Sequence, residues 1–125
     1  MDIIRIQNEF KEAQEYFSYI ELHPTSDGKL YVKSAIQSSF TNYYILKIVF
    51  PDSYPYSMPS VYIEKPVINS SPHRYMEGNI CYLHPTMWNP GIHNLSFVLQ
   101  RAAKWLAKYE VWKNSNKWPG AQIVH

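Results

Sequence analysis

Apolar residues at Ile3, Ile6, Phe10, Ala13 and Phe17 recur at spacings of three and four, which places them on one face of a helix. Glu9, Lys11, Glu12, Gln14 and Glu15 fall largely on the remaining surface. Asp2 stands where its carboxylate can accept from the free backbone N–H groups of that helix. The period then changes to two. Ile20 to His23 forms a short candidate strand, and Ser26-Asp27-Gly28 reads as a hairpin turn, because Asp-Gly supplies positive φ. Leu30, Val32 and Ile36 alternate with Lys29, Tyr31, Lys33 and Gln37, the pattern of a half-buried strand. Thr41 and Asn42 mark a polar turn. Tyr43 to Phe50 is apolar on both faces apart from Lys47, which predicts a central strand. Prolines break the pattern from Pro51 to Pro59, and Val61 to Glu64 resumes it. Short connections between these runs imply an antiparallel meander of four strands.

From Pro66 to Asn94 no period is sustained. Long irregular segments inside a small domain are uncommon and tend to be functional. This one is too aromatic for disorder, and it reads as an ordered active-site loop. Leu95, Val98, Leu99, Ala102, Leu106, Tyr109 and Trp112 then mark the apolar stripe of a helix over about 95–113, with Asn94 or Ser96 as its cap. Helix, antiparallel meander, long loop and helix make an α+β layout, with helices packed against one sheet.

Length and composition narrow the class. The chain has 125 residues, the size of one domain spanning 1–125. Its 46% hydrophobic and 16% aromatic content is globular. The formal net charge is +2 and the cations are scattered, so neither nucleic acid nor a membrane surface is the expected partner. The chain has one cysteine and therefore no intrachain disulfide. The start, MDIIRIQNEF, has no signal-peptide pattern, and no run of apolar residues is long enough to span a bilayer. The cytoplasm is the expected compartment.

Cys81 lies in the long loop, after Gly78, and it is the candidate for chemistry. A thiolate is the strongest ordinary side-chain nucleophile. A lone cysteine also serves as a small buried hydrophobe. Two further readings stand beside these. His73, Cys81, His84 and His93 carry the four N and S donors of a tetrahedral zinc site, although their spacing is irregular. Cys81 with His93 and Asn89 or Asn94 would make a Cys-His-Asn hydrolase. Tyr75, Tyr82, Trp88, Trp105, Trp112 and Trp118 cluster near the loop and read first as packing. No glycine-rich phosphate loop is present, so no nucleotide cofactor is implied.

The order of certain fragments resembles the ubiquitin-conjugating enzymes. The fragments are Phe50-Pro51, Tyr54-Pro55, Pro59-Ser60-Val61, Gly78-Asn79-Ile80-Cys81, Trp88-Asn89-Pro90 and Val98-Leu99. The resemblance implies the ubiquitin-conjugating fold. It also implies that Cys81 takes a protein C-terminus as a thioester and passes it to an amine, without a cofactor. The family's His-Pro-Asn triplet corresponds here to Ser71-Pro72-His73. His73 therefore stands where the family's asparagine stabilises the oxyanion. Trp105-Leu106, Tyr109-Glu110, Trp112 and Trp118-Pro119-Gly120 resemble a bacterial branch found in anti-phage defence operons, those of cyclic-oligonucleotide signalling, in its stand-alone form. That likeness implies a protein partner with a modifiable C-terminus. The partner is a cyclic-nucleotide synthase or a ubiquitin-like protein, and a separate activating enzyme can be involved. The alternative is a non-catalytic binding module on the same fold. If the enzyme reading holds, Cys81 is expected to be solvent-accessible with His73 close to it.

Overall fold

The alternating run becomes a sheet because every second residue can be buried. A computed structural model describes residues 1–38, 41–68 and 70–120. Asn69 of the long loop and the final residues 121–125 of the expected domain lie outside them. Strands β1 (Ile20–Pro24), β2 (Leu30–Gln37), β3 (Tyr43–Val49) and β4 (Ser60–Lys65) form an antiparallel sheet in the order β1-β2-β3-β4. The expected meander and the central place of β3 are both observed. Gly28, at φ 81°, turns the first hairpin, and Thr25 N–H closes it on the Lys29 carbonyl at 2.8 Å. Val32 pairs with Ile48, and Ile48 with Val61, so these side chains share one face with Leu46. All four are buried completely.

Helices α1 (Ile3–Ala13) and α2 (Leu95–Ser115) cover that face. The second face of β3 stays only half-buried at Ile45, Lys47 and Val49. There Lys47 lies over the Tyr31 ring, 4.7 Å from its centroid. The apolar content of β3 on both faces therefore predicted its position, not a covering layer on each side. Among the described residues no helix is long and apolar enough to cross a membrane.

Asp2 caps α1 as expected, its carboxylate accepting from Arg5 N–H at 3.0 Å. The helix stops at Ala13 and does not reach Phe17. Asn94, and not Ser96, caps α2 by accepting from Phe97 N–H at 2.9 Å. At its other end α2 is braced to the sheet by Glu110, which is buried and accepts from Tyr44 Oη at 3.0 Å and Asn42 Nδ2 at 2.6 Å.

The polar face assigned to α1 needs one correction. Glu9 is buried, because it falls between Ile6 and Ala13 on the apolar stripe. One carboxylate oxygen accepts from Tyr54 Oη at 2.5 Å and from Leu95 N–H at 2.9 Å, and the other from Arg5 Nε at 2.5 Å. Arg5 in turn donates to the carbonyls of Pro90 (2.7 Å) and His93 (2.9 Å). Burial first, and then the bond to Glu9, push the Tyr54 hydroxyl well above its usual pKa, so it stays a donor. Removing one member of a buried ionic network typically costs about 3–5 kcal/mol, since the partners are left desolvated and unpaired. Glu9→Ala is therefore expected to lower unfolding stability by about 3 kcal/mol in urea titration, and Glu9→Gln by less. A Glu9→Ala loss below about 1 kcal/mol would show that the network is incidental to the fold.

Candidate active site

The long loop is ordered because its backbone and aromatic side chains are tied to the sheet at successive points. Ile80 N–H donates to the Val61 carbonyl of β4 at 2.9 Å, and Tyr82 Oη to the Pro59 carbonyl at 2.6 Å. Trp88 Nε1 reaches the Pro55 carbonyl at 2.8 Å. Ahead of the cysteine, Arg74 bridges to Ile80 across a tight turn closed by Tyr75 and Gly78. Gly78 has φ 91°, and a methyl group there would stand 3.4 Å from the Arg74 guanidinium. Its role is thus to turn the chain, and not to open a path for a reacting group.

Cys81 emerges from this frame fully buried, with 0% exposure. The expectation of an accessible thiol is therefore wrong. The reason is aromatic cover. Cys81 lines a cavity of about 20 Å³ together with Tyr82, Trp105, His73 and Trp118, space for roughly one water molecule. Arg101, Lys104 and Lys108 of α2 complete the wall. Burial pushes the thiol up to about 11, and a hydrogen bond from the Tyr75 hydroxyl offsets only part of that rise.

His73 does reach the cysteine, as expected, and lines the same cavity. Its backbone has φ 58°, a left-handed conformation in which Asn, Asp and His are enriched among non-glycine residues. In that pose its carbonyl accepts from Cys81 N–H at 2.8 Å and from Trp105 Nε1 at 3.1 Å. Its ring packs 4.7 Å from that of Trp118, which in turn lies 5.4 Å from Trp105. Trp105 stacks on Tyr109 at 5.6 Å, extending the aromatic column along α2.

The zinc and hydrolase constellations do not assemble. His84 caps the short 3₁₀ turn Pro85–Met87 through Thr86. His93 accepts from Asn89 N–H at 2.9 Å and stacks on Phe97 at 4.0 Å, while the Asn94 side chain is committed to capping α2. Among the described residues no group of three His, Cys, Asp or Glu side chains is placed to hold a metal ion. Sequence reasoning treated Tyr75 and Trp118 as packing aromatics and passed over the three cations. The spacing of Arg101, Lys104 and Lys108, on one helical face, was the available signal.

Known proteins share this fold. The family model described as Type II CBASS E2 protein matches residues 9–125. No curated protein matches the chain. Among solved structures, a ubiquitin-conjugating enzyme E2 from Plasmodium falciparum aligns at a TM-score of 0.61 and 22% identity, covering 83% of this chain and 96% of that one. One from Plasmodium vivax aligns at 0.58 and 26%, covering 80% and 96%. The Vps23 UEV, solved in complex with ubiquitin, aligns at 0.52 and 18%, covering 85% and 95%.

The cover over the thiol sets its reactivity. With its pKa near 11, Cys81 is thiolate to about one part in a thousand at pH 8, and its alkylation by iodoacetamide should climb about tenfold per pH unit up to that value. Trp118→Ala opens the cavity to water and lowers the desolvation, so alkylation at pH 8 should rise by about tenfold or more. Equal rates in Trp118→Ala and the parent protein would mean that Trp118 is not the cover.

Proposed function

The chain belongs to the type II CBASS E2 family, and on that premise we propose that it carries a protein C-terminus as a thioester on Cys81 and delivers it to an amine. Its fold is that of the ubiquitin-conjugating enzymes, and its role is ubiquitin-conjugating-like within an anti-phage family. The observation that carries the proposal is the pairing of the chain's one thiol with His73 in a single cavity.

The chemistry runs in two displacements. Cys81 loses its proton, and its sulfur attacks the activated carbonyl carbon of the donor. A C–S bond forms, and the leaving group departs with its electron pair and gains a proton. An acceptor amine then attacks the same carbon. The C–N bond forms, the C–S bond breaks, and the amine's proton returns to the sulfur. Tyr75 donates to the sulfur while it carries charge. His73 stands on the cavity wall where its ring can donate to the oxyanion or take the amine's proton. The partner is a protein with a modifiable C-terminus, a cyclic-nucleotide synthase or a ubiquitin-like protein, and a separate activating enzyme can take part.

A second reading is favoured by one observation. The thiol is fully buried with its pKa raised, which suits a binding module that holds a partner without chemistry. The Vps23 UEV, on a similar fold, is itself a ubiquitin complex.

Intact mass under non-reducing conditions separates the two readings when the protein is co-expressed with its genomic neighbours. The enzyme reading expects a thiol-labile adduct that disappears in Cys81→Ala and becomes a stable ester in Cys81→Ser. A co-purifying neighbour with no adduct in any variant supports the binding module. His73 is tested separately, because glycine tolerates its positive φ without supplying a ring. His73→Gly should slow transfer by about a hundredfold while leaving partner binding intact, and His73→Asn should recover much of the loss. If His73→Gly transfers at the parent rate, the ring has no part in the mechanism.

A further inference from the structure

Arg101, Lys104 and Lys108 stand on one face of α2 and line the Cys81 cavity together. Such a row is unfavourable in itself, since like charges three and four residues apart on a helix repel. Among the described residues no carboxylate pairs with any of the three. The only acid on α2 is Glu110, which is committed to Asn42 and Tyr44. Arg101 is held in place by its Nε, which donates to the Tyr82 carbonyl at 3.0 Å. Lys104 is exposed, and Lys108 is half-buried beside Gly120.

A cationic wall beside a cysteine often serves to lower its pKa. Here burial pushes the thiol up. The three cations line the cavity that holds the sulfur, where a donor that approaches it would meet them. From Arg101 to Lys108 the helix rises about 10 Å, a distance that about three extended residues match.

We propose that Arg101, Lys104 and Lys108 seat an acidic segment of the acyl donor, namely carboxylate side chains within the last few residues before the C-terminus that is loaded onto Cys81. The inference rests on the acyl-carrier reading and adds the donor's chemical character. Loading by exchange is balanced: the peptide thioester's carbonyl carbon gains the Cys81 sulfur, and the released thiol takes the proton.

The test uses synthetic pentapeptides ending in glycine, supplied as mercaptoethyl thioesters whose leaving group is uncharged. One carries three aspartates before the glycine, one three asparagines, one three lysines. At low salt the acidic peptide should load Cys81 about tenfold faster than the neutral one, the basic peptide slowest, and the differences should collapse at high salt. The double variant Lys104→Glu/Lys108→Glu should reverse the order, and Lys104→Gln/Lys108→Gln should flatten it. Unchanged iodoacetamide labelling of Cys81 in both variants confirms an intact thiol. Equal loading by all peptides, or an order that survives charge reversal, overturns this seat and leaves the carrier reading standing. No loading by any peptide, with iodoacetamide still reacting, overturns both.

Discussion

One buried carboxylate organises the molecule. Glu9 holds the first turn of α2 by its backbone, the Tyr54 hydroxyl that follows the proline turn after β3, and the guanidinium that grips the end of the long loop. A charge in that position is costly unless its lone pairs are satisfied, and the bonds reported above supply that satisfaction. The consequence extends to the middle of the same helix. Because α2 is fixed at its start, Trp105 is fixed three turns along, and its indole N–H holds the His73 carbonyl on which the Cys81 amide also bonds. The position of the thiol is thus tied, through α2, to the Arg5–Glu9 pair.

Two demands compete at Cys81. A nucleophile needs negative charge, whereas an aromatic enclosure penalises charge. The Tyr75 hydroxyl favours the thiolate, but desolvation outweighs it. A thiol kept protonated under tryptophan is also kept from oxidants, since sulfenic acid forms from the thiolate. The structure therefore holds its thiol in a protonated, unreactive form.

The architecture was readable from periodicity, because the sheet and α2 obey the rule that one face is buried. The apolar stripe at Leu95, Val98, Leu99, Ala102 and Leu106 is buried as a set. Glu9 was misplaced because amphipathic reasoning sends charge to solvent; its position between Ile6 and Ala13 marked it as an acid within the stripe. Cys81 and His73 share a cavity as the family likeness implied. The burial of Cys81 was not legible, since Trp118, which lines the same cavity, folds back from beyond α2, more than thirty residues away in sequence. The role of Tyr75 was hidden for a similar reason: the tight turn at Gly78, and not any periodic pattern, brings its hydroxyl back to the sulfur.

The bond from Cys81 N–H to the His73 carbonyl bears on how this fold handles an acyl intermediate. In nucleophile-elbow hydrolases a backbone N–H beside the nucleophile helps to build the oxyanion hole. Here the cysteine's own amide is spent within the protein, and the amide just before it is spent on β4. On the proposed acyl-carrier reading, neither of these two amides is left for a developing oxyanion, which gives weight to a side-chain donor such as the His73 ring. Side-chain donors can be exchanged one residue at a time without rebuilding the loop, so a histidine can stand where the ubiquitin-conjugating relatives carry an asparagine while the backbone beneath it keeps its course.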